Sequence, residues 1–187
     1  MESSYKKNLI MKVINNSQSN CWNEAVLEWD INDYAEDLRC SSKCICGKEN
    51  IRYLYSIKNR YNGRILFPIG SSCINKFNRD DLKKQTKLIE EQFNLLHNEK
   101  SKKYLSLSSN LFSKKLLKWL YDEGAFDTAY NNYNGVHDYE FILKMFLKKR
   151  KDKITIKQDK KIKAILVNSI RPFLRRKLDG KIFETKD

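Results

Sequence analysis

Four cysteines that bracket one predicted β-hairpin constrain the fold of this chain more than any other feature. Cys40, Cys44 and Cys46 lie within seven residues just before the hairpin, and Cys73 follows it. Because a hairpin returns its far end to its start, this spacing brings the two groups of sulfurs together. Thiolates in such an arrangement are preferred ligands of Zn²⁺. The sequence therefore predicts a zinc site with four sulfur ligands.

The predicted zinc site is structural, because four sulfurs complete a tetrahedron and leave no position for a catalytic water. Gly47 can adopt the backbone conformation of the tight turn behind Cys46, and Cys73 falls in the first turn of a helix that opens near Ser71. Cys40 is the candidate fourth ligand, and Cys21 is its competitor. The alternative is that the cysteines are buried free thiols, which behave as small hydrophobic side chains.

The hairpin itself has a clear pattern. Apolar and polar residues alternate over 51–60, as in a half-buried strand, and Asn62-Gly63 tolerates the positive φ angles of a type I′ turn. Residues 64–69 form the returning strand, and Pro68 marks that strand as an edge. Upstream, residues 24–31 fit either a helix or a strand.

After the hairpin the hydrophobic period becomes helical and remains helical to the end. The fold class is therefore α+β, a small zinc-stabilised β-hairpin module followed by a mostly α-helical bundle. We expect two domains, a zinc-binding α+β module with its following helix over 1–100 and a basic α-helical domain over 101–187, with a serine-rich linker at 101–110. Helices are predicted over 5–15, 80–99, 111–122 (started by Asn110, stopped by Gly124), 139–149 (capped by Asp138) and 155–170 (opened by a Thr155/Gln158 capping box). Arg171-Pro172 is predicted to kink or end the last of these before the segment 173–178.

The net charge of +14 is concentrated at one end of the chain. Residues 1–99 hold 15 basic and 13 acidic side chains, whereas residues 144–177 hold 14 basic and two acidic ones. An ordinary solvated helix face mixes both signs, so the imbalance favours a polyanionic partner over a merely solvated surface. Conversely, residues 21–38 carry six acids and no base.

The basic segment predicts contacts with the phosphates of DNA or RNA that depend on salt and little on base sequence. Its aromatic residues Phe146 and Phe173 are expected to pack inward, so the segment itself predicts no base stacking. The predicted nucleic-acid-binding residues are Lys148, Lys149, Arg150, Lys151, Lys153, Lys157, Lys160, Lys161, Arg171, Arg175, Arg176 and Lys177.

The sequence shows no catalytic motif. It has no phosphate-binding glycine loop and no H-E-x-x-H, and its two histidines, His97 and His137, lie far in sequence from the cysteines. A metal-supported nuclease would need a histidine beside the cysteine module, and residues 40–80 contain none. We therefore expect a protein that is not an enzyme.

The compartment is predicted from what the chain lacks. No stretch approaches the roughly 18 uncharged apolar residues of a membrane span, and the N-terminus has no signal-peptide core. A protein of the cytoplasm, a reducing compartment, without membrane contact is therefore expected, and its five cysteines are predicted to be metal ligands or free thiols and not disulfides. The oligomeric state is left open.

The cysteine module also resembles a known group of proteins. Cys44-Ile45-Cys46-Gly47 together with the closing segment 69–77 looks like a small cysteine module of uncharacterised bacteriophage and large-DNA-virus proteins, over residues 22–79. Its layout is similar to treble-clef zinc modules, although it lacks their paired C-x2-C ligands. The resemblance implies a viral or mobile-element protein that handles nucleic acid or blocks a host machine.

Two functions follow as hypotheses. The first is a non-enzymatic, zinc-containing nucleic-acid-binding protein of phage or mobile-element type whose basic helical face contacts phosphate. The alternative is a phage-type inhibitor or adaptor that binds a host protein or nucleoprotein, such as an anti-CRISPR acting on a nucleic-acid-guided nuclease. That alternative would use the basic face against an acidic patch, or the acidic stretch at 24–37 against a basic groove.

Overall fold

The structure, a computed structural model, describes residues 3–101 and 106–183, and the chain forms two compact units. The N-terminal unit consists of the chain up to Ile89 together with the segment from Gly180 onwards. The helical unit runs from Glu90 to Asp179. The predicted α+β class, a small sheet near the N-terminus followed by helices, is confirmed. The division falls inside a long helix, and the predicted linker at 101–110 lies partly outside the described residues.

The N-terminal unit carries a mixed four-stranded sheet in the order β3-β2-β1-β4. The β1–β2 and β2–β3 pairs are antiparallel, and the short β4 pairs with β1 in parallel. Its elements are α1 (Ser4–Ile14), α2 (Trp22–Ala25), β1 (Trp29–Asp37), β2 (Tyr53–Asn59), β3 (Ile65–Ile69), α3 (Ser71–Ile74), the first part of α4 (Asp80–Ser101) and β4 (Ile182–Phe183).

The predicted hairpin is confirmed as β2 and β3, and β3 is an edge strand as Pro68 indicates. Its turn differs from the prediction, because only Gly63 of the Asn62-Gly63 pair has a positive φ (72°), which excludes type I′. Asn59 shapes the loop instead, since its side-chain oxygen accepts hydrogen bonds from the backbone N–H groups of Tyr61 and Asn62.

The central strand β2 is covered on both faces. Tyr55 and Ile57 on one face are fully buried, and Leu54 and Ser56 on the other face are buried as well, so the predicted half-buried alternation is wrong there. Helix α4 packs over the first face, where the Tyr55 hydroxyl donates to the backbone oxygen of Thr86 at 3.2 Å. This core fixes the hairpin whose two ends carry the cysteines.

The helical unit corrects two of the predicted helix starts. Helix α5 begins at Lys114 because the Ser113 hydroxyl, not Asn110, accepts from the N–H of Leu116 at 3.0 Å. Helix α6 begins at Val136, two residues before Asp138, which lies inside the first turn. Gly124 ends α5 as predicted, with φ 76°. The helices are the rest of α4, α5 (Lys114–Asp122), α6 (Val136–Leu147), α7 (Ile156–Ile165) and α8 (Arg171–Lys177).

The basic C-terminal helices follow the predicted amphipathic pattern. The Thr155/Gln158 capping box is present, with each side chain bonded to the other residue's backbone N–H. A π-helical turn over Leu166–Ile170 joins α7 to α8, and Pro172 occupies the first turn of α8, where a missing N–H costs nothing. The predicted apolar stripe of Ile162, Ile165, Leu166, Ser169 and Ile170 is buried.

None of the helices in the described part of the chain combines the length and the apolar character that a membrane span requires.

Candidate metal centre

Three of the four predicted ligands lie together in the N-terminal unit. The sulfurs of Cys44, Cys46 and Cys73 lie within 4.8 Å of one another. The Cys73 sulfur is 3.7 Å from that of Cys44 and 3.4 Å from that of Cys46. A tetrahedral zinc ion with bonds of about 2.3 Å separates its sulfurs by about 3.8 Å. The cluster could therefore hold one metal ion with little rearrangement.

The local backbone explains why these sulfurs meet. Gly47 closes a tight turn with φ 96°, and its N–H donates to the Cys44 carbonyl at 2.8 Å. The N–H of Ile45 donates to the carbonyl of Pro68 at 2.9 Å, which ties this turn to the end of β3. Cys73 follows on α3, after Gly70. The end of β3 thus lies beside the turn that contains Cys44 and Cys46 and precedes the hairpin.

The cluster is buried and electrostatically prepared for a cation. The three cysteines are at most 4% exposed. The Cys73 thiol and the N–H groups of Cys46 and Gly70 bond to the Cys44 sulfur and lower the pKa of Cys44 to about 5. The same contact with Cys44, together with burial, raises the pKa of Cys73. A bound cation would displace the thiol protons of the cluster, because metal ligands must be thiolates.

Cys40 and Cys21 do not join the cluster. Cys21 is exposed at the start of α2, and Cys40 lies in the loop after β1 with φ 52°. The buried Asp37 carboxylate holds that loop, since it accepts hydrogen bonds from the N–H and hydroxyl groups of Ser41 and Ser42 at 2.7–3.0 Å. Among the residues that the structure describes, no fourth His, Cys, Asp or Glu completes the group.

The predicted nucleic-acid-binding residues all lie in the helical unit. They follow α6, form the short turn Lys151–Lys153, and continue along α7 and α8. All of them are exposed except Lys148 and Arg171, which are half-buried.

Several of these side chains already have partners within the unit. The Lys151 ammonium donates to the carbonyls of Met145 and Phe146, both at 2.7 Å, and caps the C-terminus of α6, while burial lowers the pKa of Lys151. The other partnered side chains are Lys148 (to the Lys153 carbonyl), Arg150 (to Asp152), Lys161 (to Asp138) and Lys177 (to Glu123).

Five of the predicted residues carry their charge into solvent. They are exposed, and their side chains form no ion pair with any residue of the two described stretches. They are Lys149, Lys153, Lys157, Lys160 and Arg176. The sequence could not separate them from Lys161 and Lys177, because the partners of those two lysines lie more than twenty residues away along the chain.

Two features of the chain itself bear on its function. They are the cysteine cluster and the exposed basic residues. No protein-family model, no curated protein and no solved structure matches this chain.

Proposed function

We propose that this chain is a non-enzymatic, zinc-containing protein that binds nucleic acid through the basic segment of its helical unit. One observation carries the proposal, namely the excess of basic over acidic side chains in residues 144–177. The segment has only two acids, and both are already paired, Asp152 with Arg150 at 3.0 Å and Asp159 with Lys163 at 2.6 Å. The excess positive charge therefore faces solvent.

The position of this charge suits a phosphate backbone. Lys149 precedes the short turn after α6 and Lys153 is its last residue. Lys157 and Lys160 follow on the first turns of α7, and Arg176 lies on α8. Phosphates bound by such residues release counterions, which gives affinity without base specificity. Either DNA or RNA can supply these phosphates.

The burial of the cysteines supports a structural role for the zinc ion. Three thiolates are preferred zinc ligands, and the cluster joins the loop before β2 to α3 after β3. A catalytic zinc keeps a position open to substrate, whereas cysteines that are at most 4% exposed offer little access. The ion would therefore fix the hairpin by joining its two ends.

The protein-directed alternative has less support. Its acidic stretch is mostly engaged inside the N-terminal unit. Glu28 and Asp37 are buried, and Asp30 and Asp33 pair with Arg79 and Lys181. Little of that charge is left for a basic groove on another protein.

The test reverses three exposed charges in the triple variant K149E/K157E/K160E. We expect the slope of log affinity against log salt to become shallower by about 2.7, since each lost phosphate contact removes roughly 0.9, and low-salt affinity to fall about 100-fold. Fluorescence anisotropy with labelled single- and double-stranded DNA and RNA across a salt series measures both quantities.

The matched control is K83E/K84E/K87E, which makes the same charge change at exposed positions of α4 in the N-terminal unit. It should retain most of the affinity. An equal loss in the control would show a general charge effect and contradict the assigned surface. No binding of the wild-type protein at low salt would refute nucleic-acid binding altogether.

A further inference from the structure

Two tyrosines stand out on the surface of the helical unit. Tyr130 is 90% exposed and Tyr133 is 73% exposed. Both lie in the loop between α5 and α6, which we define as the tyrosine loop, residues 128–135. A soluble protein gains little from exposing two large aromatic rings so fully on one short loop, and such rings are common where partners bind.

The tyrosine loop is tied down by hydrogen bonds. Thr128 and Asn131 form a reciprocal capping box, and the Asn131 amide also donates to the carbonyl of Phe126 at 2.8 Å. The N–H of Tyr133 donates to the Thr128 carbonyl at 2.8 Å. At the end of the loop, a Cβ on Gly135 would lie 2.7 Å from the Phe126 carbonyl carbon. The loop therefore presents its tyrosines from a fixed backbone.

The backbone at the second tyrosine is unfavourable for its residue type. Asn132 and Tyr133 both adopt left-handed conformations, with φ 51° and 58°. Asparagine tolerates this region, but an aromatic residue seldom does. Burial of the Tyr133 ring does not offset the free-energy cost of this backbone conformation, since the ring remains in solvent. Residues held in such conformations cluster at functional sites, where the geometry itself is used.

The tyrosine loop is joined to the basic helix α7 through one carboxylate. Asp138 accepts a hydrogen bond from the Asn131 amide at 3.1 Å and pairs with the Lys161 ammonium, also at 3.1 Å. Lys157 lies one helical turn from Lys161, on the same side of α7, and Lys160 is adjacent. The loop that carries the exposed rings and the helix that carries the exposed lysines are thus linked within the helical unit through Asp138.

Most of the acids near the loop in sequence have a cationic partner. Asp138 is paired with Lys161, Asp122 with Lys118, and Glu123 with Lys177. Glu140 is exposed and lies 3.9 Å from the His137 imidazole. Asp127 accepts the N–H of Gly135 at 2.8 Å. Lysines therefore neutralise three of the five carboxylates near the loop in sequence.

We propose that Tyr130 and Tyr133 stack on the bases of a single-stranded nucleic acid whose phosphates lie along Lys157 and Lys160. The proposal rests on the proposed function of the basic segment and narrows its substrate to single strands. Every base offers a π-face, so stacking on tyrosine tolerates any sequence, whereas a duplex keeps its bases stacked on each other. A protein partner could also use a Tyr/Asn/Gly loop, but the link to α7 favours nucleic acid.

The experiment compares the variants Y130A/Y133A and Y130F/Y133F on three labelled probes. The probes are oligo(dT), an abasic strand of equal length, and a duplex of equal length. We expect the alanine variant to bind oligo(dT) roughly 100-fold more weakly, with the salt slope unchanged because no charge is removed. The phenylalanine variant, which keeps the rings, should bind like the wild type. The abasic strand, which lacks bases, should not respond to either variant.

The outcomes separate this inference from the proposed function. If wild-type protein binds oligo(dT), abasic strand and duplex alike and the alanine variant matches it, stacking is refuted while phosphate binding stands. If phenylalanine fails to restore what alanine removes, the hydroxyls and not the rings act, and stacking is again refuted. If no probe binds the wild-type protein at low salt, the proposed nucleic-acid binding itself is refuted. Circular dichroism checks that the alanine variant folds, as expected for such exposed side chains.

Discussion

Replacing Cys46 with serine is expected to abolish metal binding and to unfold the N-terminal unit, whereas the same change at Cys21 is expected to do neither. Structural zinc contributes about 10–16 kcal/mol of apparent binding free energy, which equals or exceeds the whole stability of a typical domain. Cys46 lies at the turn that Gly47 closes, and its sulfur is 3.4 Å from that of Cys73. Two remaining sulfurs cannot hold the ion with comparable affinity.

Metal analysis of the purified chain, which gives its zinc content, and thermal denaturation, which gives its stability, test this prediction. We expect about one zinc ion per chain in the wild-type protein, and none in C46S. Chelator treatment of the wild type should reproduce the variant's loss of stability. The rate of amide hydrogen exchange should then rise in β1, β2 and β3, because the metal no longer joins the two ends of the β2–β3 hairpin. A metal-free wild-type chain with unchanged stability would contradict the metal centre.

Cys40 supplies the sharpest control, because its spacing alone predicts a fourth ligand. We expect C40S to retain its zinc ion, since Asp37 holds the Cys40 loop through Ser41 and Ser42. If C40S loses zinc, the loop must release from Asp37 and close on the ion. That outcome would replace the three-sulfur arrangement with the four-sulfur one.

The metal centre shows what sequence spacing can and cannot determine. Cys44 and Cys46 were predictable because a glycine-closed turn fixes their separation, and Cys73 because the hairpin returns to that turn. The position of Cys40 was not predictable, since spacing alone does not say whether its loop faces the cysteine cluster or the Asp37 carboxylate. The sequence does show an acid four and five residues before two serines, but the burial of that acid is visible only in the structure.

The helical unit shows that the success of sequence-based prediction depends on how far apart the interacting residues lie along the chain. The Thr155/Gln158 capping box and the buried stripe on α7 depend on neighbours along the chain, and both were predicted correctly. The ion pairs of Lys161 and Lys177 depend on Asp138 and Glu123, which are more than twenty residues away. The tyrosine loop was missed for a related reason, because exposure and backbone angle leave no mark in hydrophobic periodicity.

Replacing Glu28 with alanine is expected to destabilise the N-terminal unit by about 4 kcal/mol. Glu28 is 4% exposed, directly before β1, and its carboxylate accepts three hydrogen bonds. The donors are the N–H groups of Gln18 and Ser19, both at 2.8 Å, and the Asn59 amide at 2.6 Å. The side chain therefore joins the loop after α1 to the end of β2. Its removal leaves three polar groups without their acceptor.

The matched control is Glu24→Ala in the same segment. Glu24 is exposed, and its carboxylate accepts one hydrogen bond, from the Ser19 hydroxyl at 2.7 Å. We expect a loss of about 0.5 kcal/mol or less there, as for most surface substitutions. Urea denaturation of both variants and the wild type, in the presence of zinc, gives the two differences. Equal losses at the two positions would contradict the role assigned to Glu28.

The effect of Glu28 should also depend on pH in a defined direction. Burial raises the pKa of this carboxyl, but the hydrogen bonds from Asn59, Gln18 and Ser19 outweigh it, so the pKa is lowered from 4.5. A carboxyl with a lowered pKa stabilises the fold above its unfolded pKa, and that contribution disappears as the pH falls through the folded pKa. The difference between wild type and Glu28→Ala should therefore be constant from neutral pH to about 5 and shrink below 4.5. Acid also protonates the cysteines, but it does so in both proteins, so the difference isolates Glu28. A difference that stayed constant through the acid range would mean that the ionised carboxylate contributes nothing.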